Sequence, residues 1–242
     1  MEDKLILGDC LDVMKDIESQ SVDMILADLP YGVTKNKWDS VISLDLLWKQ
    51  YERIIKQNGA IVLFGQDKFT ARLMLSNESL HRYNLIWNKV LTSGFLNANR
   101  MPMRQHEDIC VFYKKQPVYN PQKVKGVPSH SKGNNVGKKN SDVLQNNNYG
   151  DFVLVQTDGD MKHPTSIVTF SKPHPSVSLH PTQKPVELLE WLIKTYTDEN
   201  DLVLDNTMGV GSTCRAAKNI GRRYIGIEKE EKYYNIAIEK LR

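Results

Sequence analysis

The sequence predicts an α/β protein: a doubly wound, seven-stranded, mostly parallel sheet with one antiparallel hairpin and a loop-rich insertion. Three observations carry that expectation. Short β-rich runs alternate with helical patterns along most of the chain. One pair of runs has no helix between its members, as an antiparallel hairpin at a sheet edge would not. From Lys115 to about Leu179 the composition shifts, with six of the ten prolines and the runs Asn134-Asn135 and Asn146-Asn147-Asn148. The strands are expected at Lys4–Gly8, Val22–Ala27, Ala60–Phe64, Arg82–Asn88, Ile109–Lys114, Leu202–Asp205 and Arg223–Ile227, the fourth and fifth forming the hairpin. Ser43 is placed to cap a helix over Leu44–Gln57 that Gly59 ends. Asp67 is placed to cap a helix reaching Leu75. Pro185 suits the first turn of a helix to Tyr196, whose Leu188, Leu189, Leu192 and Ile193 form one apolar stripe. Ser212–Ile220 and Lys229–Leu241 complete the helices.

The composition is that of a folded, soluble chain: 242 residues, 40% hydrophobic and 25% charged, with 32 Lys and Arg against 29 Asp and Glu for a net charge of +3. No apolar run approaches the roughly 20 residues of a membrane span. The start, Met1-Glu2-Asp3-Lys4-Leu5, lacks the basic and apolar regions of a signal peptide. Cys10, Cys110 and Cys214 form no CxxC pair and read as reduced thiols of a cytoplasmic protein. The six histidines (81, 106, 130, 163, 174, 180) show no ligand spacing, so no metal is expected.

Two constellations carry chemistry. In Val22-Asp23-Met24-Ile25-Leu26-Ala27-Asp28-Leu29-Pro30-Tyr31 a buried strand delivers Asp28 and Tyr31 at its C-terminal end, where parallel sheets place their sites. Pro30 cannot continue the ladder, so the chain turns. A carboxylate, a free carbonyl and an aromatic face within four residues suit a planar ring bearing an exocyclic amine. Asp28 and a backbone carbonyl accept the two amine hydrogens, and Tyr31 stacks. The plainer alternative is a turn with Tyr31 packing. In Asp201-Leu202-Val203-Leu204-Asp205-Asn206-Thr207-Met208-Gly209-Val210-Gly211-Ser212-Thr213 a strand enters a glycine loop before a helix, and glycines let a ligand approach the backbone. Glu228 ends the next strand nineteen residues after Gly209, where an acid accepts ribose hydroxyls. Neither GxxxxGK[ST] nor the full GxGxxG is present, which favours an adenosine site over a dinucleotide one and argues against a nucleotide-dependent oxidoreductase.

These motifs resemble those of the permuted, beta-class amino-DNA methyltransferases, which methylate adenine N6 or cytosine N4 from S-adenosylmethionine on a Rossmann-like methyltransferase fold. Asp28-Leu29-Pro30-Tyr31 matches the family's (D/N/S)PP(Y/F/W) at three positions, Leu29 replacing proline. Asp205, Gly209 and Gly211 match D-P-F-x-G-x-G-T, while Asn206-Thr207-Met208 depart from it. His180-Pro181-Thr182-Gln183-Lys184-Pro185 looks like the segment that packs over the methionine end of the cofactor. Leu7-Gly8-Asp9-Cys10-Leu11 looks like the strand end that reads its adenine. The tetrapeptide precedes the glycine loop by about 180 residues, as in the family. The resemblance implies Asp28, Pro30 and Tyr31 as catalytic. It implies Asp9, Cys10, His180, Thr182, Lys184, Pro185, Asp205, Asn206, Thr207, Gly209, Gly211 and Glu228 around S-adenosylmethionine. An Asp-led motif leans toward adenine N6, with cytosine N4 the alternative. An RNA or protein amine or amide methyltransferase stands further off, since such enzymes usually carry the glycine loop first. Cytosine C5 chemistry is excluded because no proline precedes a cysteine.

By the same resemblance, residues 1–114 and 180–242 form the catalytic domain and 115–179 a target-recognition insertion on double-stranded DNA. Lys114 through Ser141 contain seven lysines and no acid, a limb of +7 on a body of −4. Such a limb suits phosphates, with Tyr119, Tyr149 and Phe152 available to stack. A cognate restriction endonuclease is a further expected partner, the enzyme being a monomer or homodimer in a prokaryotic or phage-infected cell. His106-Glu107-Asp108 either supports the hairpin or lines the substrate channel. Trp38-Asp39 either forms a lid or packs a loop.

Overall fold

The computed structural model describes residues 3–32, 41–126, 160–172 and 183–242. The chain divides into two compact units, Met1–Asn120 with Thr165–Arg242, and Pro121–Pro164. In chain order the elements are β1 (Lys4–Leu7), α1 (Cys10–Val13), β2 (Val22–Ala27), α2 (Leu44–Ile54), β3 (Ile55–Gly65), α3 (Lys68–Ser76), β4 (His81–Ser93) and β5 (Arg104–Phe112). Then come β6 (Val124–Lys125), β7 (Met161–Lys162), β8 (Ile167–Thr169), α4 (Val186–Tyr196), β9 (Leu202–Asp205), α5 (Ser212–Asn219), β10 (Arg223–Glu228) and α6 (Glu231–Leu241). In the smaller unit β6 and β7 pair antiparallel, Val124 opposite Lys162.

The larger unit holds an eight-stranded sheet in the order β1-β10-β9-β2-β3-β5-β4-β8. Every neighbouring pair is parallel except the two that involve β5, so one strand is reversed. Successive residues of the central strands point to opposite faces. Ile25, Ile61, Leu63, Leu204 and Ile225 pack with Leu47, Trp48, Tyr51 and Ile54 of α2 and Phe69 and Leu73 of α3. Met24, Leu26, Val62 and Val203 pack on the other face with Leu188, Leu189, Leu192 and Ile193 of α4 and with Cys214, Ala216 and Ala217 of α5. Helices on both faces are why these strands read as continuous apolar runs.

Several expectations are revised. The sheet has eight strands, not seven, because Ile167–Thr169 pairs parallel with Ile86–Asn88 and buries Val168. Composition alone groups that stretch with the insertion, whereas its pairing places β8, not the hairpin, at the sheet edge. Helix α2 stops at Ile54, and Gly59 lies inside β3. There the ladder jumps from Val22–Ile55 to Met24–Ala60, and a Cβ at Gly59 would stand 2.8 Å from the Asp23 carbonyl oxygen. The glycine serves a close approach in a bulged strand. Neither Ser43 nor Asp67 makes a side-chain cap; the Asp67 carboxylate instead meets Arg104 at 3.1 Å. Pro185 sits one residue before α4. Asp9 does cap a helix, its Oδ1 accepting from the Leu11 amide at 2.8 Å. No helix among the described residues is long and apolar enough to cross a membrane, and the three cysteines are buried free thiols.

Candidate active site

The site follows from strand register. Leu7 lies opposite Glu228, Gly226 opposite Asp205, Ile25 opposite Leu204 and Ala27 opposite Leu63. Asp9, Glu228, Asp205 and Asp28 therefore leave four adjacent strands at one carboxyl edge. The sheet changes winding direction between β9 and β2, and such a switch point opens a crevice. A cavity of about 570 Å³ lies there, lined by Asp9, Asp28, Glu107, Lys184, Asp205 and Glu228 among others.

One half of the cavity is the glycine loop. Asp205 Oδ1 accepts from the Thr207 amide at 3.1 Å, which folds the loop back on the strand end. Burial lifts the Asp205 carboxyl to about 7, against the opposing hydrogen bonds from Thr213 and the Thr207 amide. Glu228 Oε2 accepts from the Gly209 amide at 2.9 Å and Oε1 from the Glu230 amide at 2.8 Å. Burial raises that carboxyl too. Gly209 has φ +53° and no atom within 4 Å of where a Cβ would stand, so the loop presents bare backbone to the cavity. Asn206 is buried; its Oδ1 accepts from Tyr51, and its Nδ2 has no hydrogen-bond partner among the described residues.

The other half surrounds Asp28. Tyr31 Oη donates to Asp28 Oδ1 at 3.0 Å, while Lys184 Nζ donates to Oδ2 at 2.7 Å. Thr207 Oγ1 donates to the Asp28 carbonyl at 3.1 Å, which ties the tetrapeptide to the glycine loop. Tyr31 stacks on Phe69 with centroids 4.7 Å apart. Lys184 Nζ also lies 3.1 Å from Glu107 Oε2, and Glu107 Oε1 meets Lys89 Nζ at 3.1 Å. Burial raises the Asp28 carboxyl, and Lys184 opposes the rise. Burial would lower the Lys184 ammonium, but Asp28 and Glu107 outweigh it and hold it above its ordinary value. Burial would raise Glu107, but Lys184 and Lys89 pull it below the usual carboxylate range.

Of the residues expected from the sequence, Asp9, Cys10, Asp28, Pro30, Tyr31, Lys184, Asp205, Asn206, Thr207, Gly209 and Glu228 line this one cavity. Gly211 does not: it is an α5 start with φ +79°, packed where a Cβ would meet Ala237 and Leu241 at 3.1 Å. Pro185 is buried at the start of α4 and outside the lining. The Lys184 ammonium, expected toward the cofactor, is bound to Asp28 and Glu107. His180 and Thr182, like Trp38, Asp39, Tyr149 and Phe152, lie outside the described residues.

Of the two alternatives for His106-Glu107-Asp108, Glu107 takes the second and lines the cavity, while Lys89 is a site residue the sequence reading lacks. Glu107 lies near the start of β5, which runs opposite to its neighbours and so begins at the edge where they end. Lys89 had a legible signal. Leu85, Trp87 and Lys89 alternate along β4, and all three are buried, so a lysine occupies an inward position.

The DNA methylase family that groups N6 and N4 enzymes matches residues 22–239. The Type II methyltransferase M.BglII of Bacillus subtilis is 30% identical over 263 residues, spanning 98% of this chain and 68% of that protein. M.HinfI of Haemophilus influenzae is 27% identical over 267 residues, with the same coverage of 98% and 68%. Among solved structures, the M1.HpyAVI–SAM complex superposes with a TM-score of 0.65 at 24% identity, covering 98% of both chains. The cytosine-N4-specific PvuII DNA methyltransferase gives a TM-score of 0.71 at 15% identity, covering 98% of this chain and 86% of that one. The family match runs from β2, which delivers Asp28, through the glycine loop and into α6, and the chain therefore belongs to the N6/N4 amino-DNA methyltransferase family.

Proposed function

We propose that this DNA methyltransferase transfers a methyl group from S-adenosylmethionine to adenine N6 in double-stranded DNA. One observation carries the reading: the Asp28-Leu29-Pro30-Tyr31 turn and the Asp205–Gly209 loop share one cavity and are joined by the Thr207–Asp28 hydrogen bond. The adenine preference rests on the Asp-led tetrapeptide. Cytosine N4 is the alternative, since the same acceptors fit either amine. Labelled methyl transfer to plasmid DNA followed by nucleoside analysis decides it: N6-methyl-2′-deoxyadenosine supports the proposal, and N4-methyl-2′-deoxycytidine overturns it.

The residues present fit the cofactor. A cavity of about 570 Å³ has the bare backbone of Gly209 and the carboxylates of Glu228 and Asp205 on its wall. Glu228 and Asp9 are placed for hydroxyl and adenine amine groups, and the M1.HpyAVI neighbour is described with SAM bound. When bound, the cofactor supplies an electrophilic methyl group on a cationic sulfonium. The chain's own work is orientation. Asp28 and the Pro30 carbonyl accept the two hydrogens of the amine of a flipped-out base, leaving the nitrogen lone pair directed at the methyl group. Accepting both hydrogens also stabilises the positive charge that grows on that nitrogen.

Asp205 makes cofactor binding pH-dependent. A carboxyl lifted to about 7 is largely protonated below that pH, and a cationic ligand favours its ionised form. Affinity is expected to rise as pH climbs toward 7 and then level off, with proton release on binding. Titration calorimetry at pH 6.5 in two buffers of different ionisation enthalpy measures that proton directly. No proton uptake by the buffers would refute the coupling.

The insertion is proposed to recognise the target, acting on DNA in the cytoplasm of a cell that also holds a cognate endonuclease, as the Type II relatives suggest. Seven lysines between Lys114 and Ser141 would release up to seven counterions. The log–log slope of DNA affinity against salt is then expected to reach about −6. A filter-binding series from low to high salt checks this, and a slope near zero would remove the lysines from the DNA contact.

A further inference from the structure

We propose that Lys184, tethered by Glu107, is the positioning residue that keeps Asp28 ionised and correctly turned for the target amine. This rests on the reading that Asp28 accepts from that amine. Lys184 and Lys89 side chains are 8% and 4% exposed, and Glu107 is 15% exposed. Buried charges are costly unless paired, so such a run persists only where opposite signs lie against one another. Here they alternate in sign, Lys89, Glu107, Lys184, Asp28, with separations of 3.1, 3.1 and 2.7 Å. The partners come from β4, β5, the segment entering α4 and the end of β2, which are brought together only by the folded sheet.

The geometry assigns each contact a purpose. Tyr31 holds Asp28 Oδ1 and Lys184 holds Oδ2, so the plane of the carboxylate is set at both oxygens. Each oxygen keeps a second lone pair for a substrate hydrogen. Without Lys184, Asp28 would face the negative Glu107 of β5 and the Asp205 carboxyl of β9, with Tyr31 beside it and Lys89 beyond Glu107. A buried carboxyl in that company takes up a proton, and its O–H then donates where the amine needs an acceptor. Glu107 has the opposite electrostatic influence on Asp28, disfavouring its charge, while it steadies the lysine. Lys184 and Glu107 are therefore separable by direction.

The test measures methyl transfer to plasmid DNA against pH from 5 to 9 for wild type, Lys184→Met, Lys184→Arg and Glu107→Gln. For Lys184→Met the expected result is a fall in kcat of tenfold or more at pH 7.5, with the acid limb displaced upward by a unit or more. KM for S-adenosylmethionine stays within about threefold, and Lys184→Arg restores the wild-type limb. For Glu107→Gln the limb moves down, not up, with a lower plateau. Carbon-13 NMR of the Asp28 side-chain carboxyl reads the same opposite displacements without any turnover. If Lys184→Met fails to fold, Lys184→Gln, which keeps a hydrogen-bond donor without the charge, takes its place and is expected to show the same upward displacement. Unmoved limbs, or displacement of both variants in one direction, overturn the proposal. A wild-type enzyme that methylates no DNA overturns the functional reading instead, and the NMR titration then judges the Asp28–Lys184 linkage by itself.

Discussion

Asp28→Ala is expected to lower methyl transfer by at least about a hundredfold while leaving the fold and cofactor affinity near wild type. Removing one preorganised hydrogen-bonding group from a developing charge costs rates of that order. The variant is unusually clean because Lys184, which loses a partner, still has Glu107 at 3.1 Å. The glycine-loop half of the cavity, built on Asp205, Gly209 and Glu228, makes no side-chain hydrogen bond to Asp28; Thr207 binds its backbone carbonyl, which alanine retains. Tritium transfer from labelled S-adenosylmethionine, with calorimetric binding as the control, checks both halves of the expectation. Wild-type turnover in Asp28→Ala would remove the tetrapeptide from the reaction.

Gly226→Val is expected to have the largest effect on stability. Gly226 lies in β10 opposite Asp205, and a Cβ there would strike Met208 Sδ and come within 2.6 Å of Cys214 Sγ and 3.0 Å of Leu5 Cδ2. Overfilling a packed core costs about 2–3 kcal/mol. For a chain of this size that corresponds to a fall in Tm of about 5–10 °C. Met208 also lines the cavity, so the same substitution pushes the glycine loop and weakens cofactor binding. Thermal unfolding with and without S-adenosylmethionine measures both, and an unchanged Tm would mean that β10 and the loop yield without cost.

Elements whose signal is local were legible in the sequence. The apolar run of β2, the stripe of α4 and the glycines after β9 each announce themselves within about a dozen residues. Strand β8 did not, because three residues among prolines and lysines have no periodicity and become a strand only by pairing with β4. The end of α2 was misplaced for a related reason: Gly59 looks like a helix stop until Asp23 is brought against it. In the site, Asp28 and Asp205 were legible because each sits in a motif. The role of Lys184 was not, since its partner lies 156 residues away. Glu107 was legible as a channel candidate because the missing helix before β5 implies a reversed strand, but its two lysine partners were not, since they come from β4 and from the segment entering α4.

The junction of β2 with β9 also shapes how the protein is made. Met24 and Ile25 pair with Val203 and Leu204, which leave the ribosome roughly 180 residues later. For most of synthesis, then, β2 has a partner only on its β3 side, and its other edge is open to any passing strand. The cofactor cannot shield that edge, because the loop that would hold it follows β9 in the same late segment. S-adenosylmethionine can stabilise only completed chains, and stalled or truncated ones are left to chaperones and proteases.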